Sequence, residues 1–187
     1  MEVTAPDGRA GAADNFGAGG RWLLAVAKNV AIAGGLVFVG LVAMSLASIV
    51  GRKLFAWPVP GDVELLQMCA AFASSSFFAY CHMANGDVKV DFFTHNLAPR
   101  IVARLDASGS FLVGAFGTLV AWRTAVGALA VHEVGETSAV LGIPIWIAQS
   151  LMVPGFALLA VAGFYMCAHR VRVSLRRMAQ LPRRPRP

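Results

Sequence analysis

The chain has 187 residues, of which 57% are apolar and only 14% are charged, and its formal net charge is +6. Soluble globular domains carry about 45–50% apolar and about 25% charged residues, so this composition excludes a disordered chain, a coiled coil and most soluble enzymes. It indicates a protein that lies largely in lipid.

Four long apolar runs predict an all-α integral membrane protein with four transmembrane helices. A bilayer core about 30 Å thick needs roughly 20 helical residues. Continuous apolar runs favour helices over barrel strands, in which apolar residues would alternate with polar ones. The spans are expected at about residues 24–50, 63–82, 107–131 and 144–168. The second run is the shortest, and Asp62 and Glu64 are expected in its first helical turn.

The segments outside the spans define the predicted domain organisation. Residues 1–21 are polar and rich in Gly and Ala, and they lack the basic start of a secretory signal. They are predicted to form a flexible cytoplasmic extension ahead of a four-helix membrane domain at residues 22–168. Residues 169–187 are predicted to form an Arg-rich cytoplasmic tail.

The distribution of Lys and Arg predicts the orientation. With the N-terminus in the cytoplasm, thirteen of these residues lie on the cytoplasmic side, and only Arg52 and Lys53 lie on the other side. Lys and Arg concentrate in cytoplasmic loops, so both termini are expected to face the cytoplasm. The tail arginines are therefore interpreted as topology determinants. No aromatic residues alternate with them, and we expect no nucleic-acid partner.

The segment between the second and third spans is predicted to be amphipathic. Phe93, Leu97 and Ile101 recur every four residues, with basic residues off that stripe, as in a helix that lies on the surface of a bilayer. Pro99 interrupts the pattern, so two short helices are expected rather than one. The alternative is an ordinary connection that packs on the protein's own helices.

Two charged residues fall within the predicted spans. Arg123 lies near the middle of the third span, where a charge costs about 2.5–3.5 kcal/mol, so it is expected to face protein and to have a partner. Glu64 and Gln149 are the candidate partners, and Arg52 is a rival partner for Glu64. We interpret these four residues as tethers between helices or subunits. One acid and one arginine make a poor ion pathway.

No motif predicts catalysis, a cofactor or a metal site. The three cysteines lie in or beside apolar runs and form no CxxC pair. His82 and His169 could share the cytoplasmic side, as haem ligands on two helices would, but both lie at the edge of the apolar region. We expect a protein that is not an enzyme. The alternatives are a scaffold or haem-bearing electron-transfer subunit of another membrane complex, or an autonomous four-helix transporter.

A series of short motifs appears in a characteristic order over residues 30–168. The motifs are Arg52-Lys53-Leu54-Phe55, Pro60-Gly61, Glu64, Val88-Lys89-Val90-Asp91, Gly135-Glu136-Thr137, Leu141, Ile143-Pro144 and Trp146. This order resembles the small membrane subunit of tripartite ATP-independent periplasmic (TRAP) transporters, the DctQ type.

The resemblance implies a non-catalytic subunit of the bacterial cytoplasmic (inner) membrane. Its implied partner is a large multi-span permease subunit, which carries the sodium and substrate sites. A periplasmic substrate-binding protein is implied to deliver an organic acid, typically a carboxylate. The small subunit would widen the static scaffold against which the transport element moves.

Overall fold

The computed structural model describes residues 17–55, 60–84, 86 and 99–179. Over these residues the chain forms four helices, and the predicted all-helical fold is confirmed. They are α1 (Ala18–Phe55), α2 (Asp62–Met83), α3 (Pro99–Val134) and α4 (Ile145–Ala179). The β-structure in this part of the chain is a single isolated bridge between Thr137 and Pro144.

Three of the helices are long and apolar enough to cross a membrane. They are α1, the part of α3 at Arg104–Val134 and the part of α4 at Ile145–Leu175. α2 has 22 residues but is less apolar, because it carries two acids in its first turn and three consecutive serines in its second half. The structure therefore confirms four helices over the described residues, three of them long and apolar enough to span a membrane, whereas four spans remain a prediction.

The start of α3 corrects one expectation. The helix runs without a break from Pro99, and no separate short helix follows this proline. Proline suits the first helical position, where its missing N–H has no helical partner to lose. Ile101 therefore lies in the first turn of α3, where it is 45% exposed. The other two interfacial candidates, Phe93 and Leu97, lie outside the described residues.

Two helices also extend beyond the predicted membrane domain. α1 begins at Ala18, so the last residues of the predicted flexible extension are helical, and Gly20 is buried. α4 continues to Ala179, and the first part of the predicted tail is therefore helical. The apolar runs therefore predicted the helices but not where the helices end.

The helices form an open row and not a closed four-helix bundle. α2 packs against α1 on one side and α4 on the other, and α4 also packs against α3. α1 makes few contacts with α4. The order across the row is therefore α1, α2, α4, α3, with α1 and α3 outermost.

Small residues bring neighbouring helices into close contact. A Cβ added at Gly155 of α4 would lie 2.5 Å from Ser75 Oγ of α2, and one at Gly163 would lie 2.5 Å from the backbone nitrogen of Gly114 in α3. Such contacts bring helices together in membranes, where lipid provides no hydrophobic drive for association.

One face of α1 is buried with strict regularity. Five of its seven buried residues recur every seven positions, namely Gly20, Ala27, Gly34, Leu41 and Ser48, and the other two are Leu23 and Ala31. A seven-residue repeat keeps one narrow stripe of a helix in contact with its neighbour when the two cross at a shallow angle. A Cβ added at Gly34 would lie 2.8 Å from the Cβ of Ser76 in α2.

Candidate functional site

Several side-chain contacts between different elements of the described chain lie at one end of the row, which we call the loop end. Here the end of α1, the start of α2 and the α3–α4 connection (residues 135–144) meet. Two acids of the first turn of α2, Asp62 and Glu64, organise these contacts.

Glu64 holds the α3–α4 connection against α2. Its Oε2 accepts hydrogen bonds from Ser138 Oγ at 2.7 Å and from the Leu141 backbone N–H at 3.1 Å. Its Oε1 accepts one from the Val140 backbone N–H at 2.9 Å. Hydrogen bonds to an ionised acceptor are stronger than those between neutral groups. Glu64 is therefore a structural anchor that joins elements more than seventy residues apart in the chain.

The α3–α4 connection is a compact turn shaped to present these N–H groups. Gly135 ends α3 with φ of 70°, and Gly142 has φ of 64°, a conformation that glycine adopts at little cost. The Ser138 N–H donates to Ile143 O at 2.9 Å, which closes the turn. The Leu141 side chain then packs against Gly61, where any larger residue would collide with it.

Asp62 contacts α1 instead. Its Oδ2 accepts a hydrogen bond from Ser48 Oγ and lies 3.5 Å from Arg52 Nη2. Asp62 precedes the segment predicted to span the membrane, and the hydrogen bond from Ser48 holds the pKa of its carboxyl below the usual range. The serine is buried, whereas the Arg52 side chain is 62% exposed. Asp62 and Ser48 therefore form the inner part of this contact.

The predicted pairing of Arg52 with Glu64 is not formed. Arg52 pairs with Asp62 instead. Residues two positions apart on a helix point in directions roughly 200° apart, so the two acids of this turn face different neighbours. Asp62 thus faces α1, and Glu64 faces the α3–α4 connection. The sequence did indicate two acids in this turn but could not assign them to neighbours whose positions were unknown.

The predicted contacts of Arg123 are also not formed. Its side chain is exposed, and it makes no hydrogen bond or ion pair with a described residue. Glu64 is occupied by the α3–α4 connection. Gln149 directs its buried Oε1 towards Gly127, and this oxygen has no hydrogen-bond partner among the described residues. The structure therefore does not bring Arg123, Glu64 and Gln149 together.

A tether at the opposite end joins α3 and α4. Arg170 donates a hydrogen bond from its guanidinium to the backbone oxygen of Asp106 at 2.8 Å. The His169 ring stacks on Tyr165, with ring centroids 6.2 Å apart. In the sequence Arg170 is predicted only as a basic residue of the tail. Its position two residues after the end of the last predicted span, at residue 168, is the signal for a role at the helix end.

An apolar groove lies between α3 and α4 near the loop end. It has a volume of about 510 Å³ and is lined mainly by aliphatic side chains, with His132, Trp146 and Ser150 among them. The rings of His132 and Trp146 meet edge to face, with centroids 5.0 Å apart. This lining offers too few polar groups to bind a small carboxylate. Among the described residues, no group of three or more His, Cys, Asp or Glu could hold a metal.

Long apolar helices with satisfied backbone groups and hydrogen-bonded ends define a polytopic α-helical membrane protein. The family model described as "Tripartite ATP-independent periplasmic transporters, DctQ component" matches residues 41–173. The chain therefore belongs to the DctQ family, the small membrane subunits of TRAP transporters, as the motif order predicted. Neither a curated protein nor a solved structure matches the chain significantly.

Proposed function

We propose that this chain is the static scaffold that supports a large permease subunit during sodium-driven uptake of an organic acid. In this proposal a periplasmic binding protein delivers the substrate, and the large subunit carries the sodium and substrate sites. The chain lies in the bacterial inner membrane with both termini in the cytoplasm. Its membership of the DctQ family supports the proposal.

The observation that carries the scaffold role is the open row of helices. A closed bundle of four helices would bury its apolar residues against one another, whereas a row leaves broad apolar surfaces on both sides. Many large side chains of α1 and α3 are more than half exposed, including Leu36 at 69% and Leu119 at 60%. Such surfaces are covered by lipid or by another membrane protein.

The second helix is the one of the four described helices that does not qualify as a span by length and apolarity, but its position supports the proposal that it is also a span. Ser75 and Ser76 are buried between α1 and α4, and each donates its hydroxyl to Phe72 O, at 2.8 and 3.0 Å. A helix whose polar side chains bond to its own backbone and face neighbouring helices can cross lipid despite moderate hydropathy. We therefore propose four spans, with residues 63–82 as the second.

The polar contacts of the described residues agree with a supporting role. The groove between α3 and α4 is apolar, and the hydrogen-bonded acids Asp62 and Glu64 serve contacts within the chain. Substrate specificity and ion coupling are therefore assigned to the large subunit and the binding protein.

The test is recovery of the partner from native membranes. The tagged chain is extracted in mild detergent and purified, and co-purifying proteins are identified by mass spectrometry. We expect one larger, many-span hydrophobic protein at equal stoichiometry, and none with an unrelated tagged membrane protein. Recovery of the chain alone would overturn the proposal.

A further inference from the structure

One helix face combines mid-membrane depth, exposure and charge. Five exposed residues of α3 are spaced alternately four and three positions apart, which places them on a single side of the helix. We call this side the α3 stripe, and it consists of Leu112, Phe116, Leu119, Arg123 and Val126. Arg123 is the charged member, and Trp122 beside it is 69% exposed.

Lipid alone is a poor environment for Arg123. The residue lies eight positions before the end of its predicted span, about 12 Å along the helix axis, which exceeds the length of its side chain. Helical side chains also lean towards the N-terminus of their helix, and here that direction leads away from the nearer membrane surface. The guanidinium therefore cannot easily reach the headgroups.

The described chain supplies no partner for this charge. Arg123 contacts no acid or amide of the described residues, although Glu64 and Gln149 were the candidates at nearby depth. Acids elsewhere in the sequence, such as Asp87 and Asp91, fall in segments outside the four predicted spans. A carboxylate from another molecule is the remaining way to neutralise Arg123 within the membrane.

A second copy of this chain is a poor candidate for that molecule. Two copies related by a twofold axis across the membrane would place their α3 stripes in contact at equal depth. Arg123 of one copy would then face the same residue of the other, which adds repulsion to the cost of burial. Charge complementarity requires a different helix.

The exposed face of α1 provides a contrast. Within residues 30–50, which contain no charge, its large exposed residues, such as Ile32, Leu36 and Val39, are all aliphatic. This face suits lipid. Trp and Arg, by comparison, recur at the centres of protein–protein interfaces, where they contribute much of the binding energy. Trp122 and Arg123 therefore distinguish the α3 face from the α1 face.

We propose that the α3 stripe docks against a transmembrane helix of the large permease subunit and that a carboxylate on that helix pairs with Arg123. This inference rests on the proposed function, because it takes the large subunit as the partner. The pairing would fix the relative depth of the two subunits in the membrane, because an unpaired charge on either subunit at this depth is costly.

Substitutions on the two faces test the inference. Arg123→Leu removes the charge, whereas Arg123→Lys retains it. Trp122→Ala on the α3 face is compared with Leu36→Ala on the α1 face, since both wild-type side chains are 69% exposed. Recovery of the large subunit is measured per amount of tagged chain in the membrane. We expect at least about a tenfold loss for Arg123→Leu, a smaller loss for Arg123→Lys and for Trp122→Ala, and none for Leu36→Ala.

A crosslinking experiment on the otherwise wild-type chain guards against variants that fail to insert. A photoreactive residue at Leu119 is expected to form an adduct with the large subunit, and one at Leu36 is not. Equal recovery with wild type and Arg123→Leu would overturn the inference, as would adducts of Leu119 with lipid or a second copy alone. If even the wild-type chain recovers no large subunit, the proposed function itself fails.

Discussion

At the scale of single residues, Asp62 and Glu64 show how two acids in one helical turn serve different neighbours. Asp62 accepts a hydrogen bond from Ser48 of α1, and Glu64 accepts three from the α3–α4 connection. The rotation between positions on the helix separates their directions. Together they join α1, α2 and the α3–α4 connection at the loop end.

Removal of the Glu64 charge is expected to destabilise the α3–α4 connection. Glu64→Gln replaces one acceptor oxygen by an NH₂ group, which cannot accept from the backbone N–H groups that now point at the carboxylate. The melting temperature of the purified chain in detergent should fall by a few degrees. Glu133→Gln is the matched control, because Glu133 is an exposed acid on α3, and this variant should melt as wild type does.

The Asp62 contact yields a prediction about pH. The pKa of Asp62 is lowered in the folded chain mainly by the Ser48 hydrogen bond, so this contact stabilises the fold above the ordinary aspartate pKa. The contribution is lost as the pH falls through the lowered value. Ser48→Ala should therefore lower the melting temperature at neutral pH more than at about pH 3.

Arg52→Gln is the comparison for Ser48→Ala. Arg52 is largely exposed, so its ion pair with Asp62 is screened by water and contributes little. An equal loss of stability in the two variants at neutral pH would contradict the view that the serine is the main partner of Asp62.

At the scale of elements, the contacts between neighbouring helices depend on residues with small side chains. Gly163 of α4 faces the backbone of Gly114 in α3, and Gly155 faces Ser75 in α2. Backbone atoms at such distances cannot move aside for a new side chain. These two contacting pairs of helices therefore tolerate little change in volume at these positions.

Gly163→Ala is expected to push α3 and α4 apart and to destabilise their contact. The new methyl group would meet the backbone of Gly114, and overpacking of this kind costs about 1–3 kcal/mol. The free energy of unfolding in detergent measures the effect. Gly40→Ala in α1 is the matched control, because no atom lies within 4 Å of the added Cβ, and it should be neutral or slightly stabilising.

At the scale of the whole molecule, the open row determines what the protein can do. Each helix in the row is buried only where it packs against its neighbours. The outer faces of α1 and α3 stay exposed and can contact lipid or a partner subunit. The α3–α4 connection lies at one end of the row, and the part of α4 that carries Arg170 lies at the other.

The proposed orientation is testable with cysteines at the two ends. Thr137→Cys lies in the α3–α4 connection and Val173→Cys near the end of α4, and both wild-type residues are exposed. A membrane-impermeant maleimide applied to spheroplasts should label the first and not the second, in a chain whose three native cysteines are replaced. The reverse labelling pattern would show that the termini face the periplasm.

Sequence reasoning predicted the features that depend on local composition. Apolar runs predicted the helices, and the order of short motifs predicted the DctQ family that the family model confirms. The seven-residue repeat of buried residues in α1 contains glycine, alanine, leucine and serine, so residue type alone does not identify it. Helix ends were predicted less well, since α3 begins at Pro99 and α4 reaches Ala179. Contacts outside the predicted spans, such as that of Arg170 with Asp106, hold the helices together beyond the apolar segments.

By itself, then, the sequence determined the helical class, the membrane environment and the family, because these follow from composition and order along the chain. Only the tertiary structure decided which residues meet. In the folded chain Arg52 pairs with Asp62, Glu64 accepts hydrogen bonds from the α3–α4 connection, and Arg123 is exposed on α3. The physical reason is that such contacts depend on helix rotation and neighbour order, which arise from packing between segments far apart in sequence.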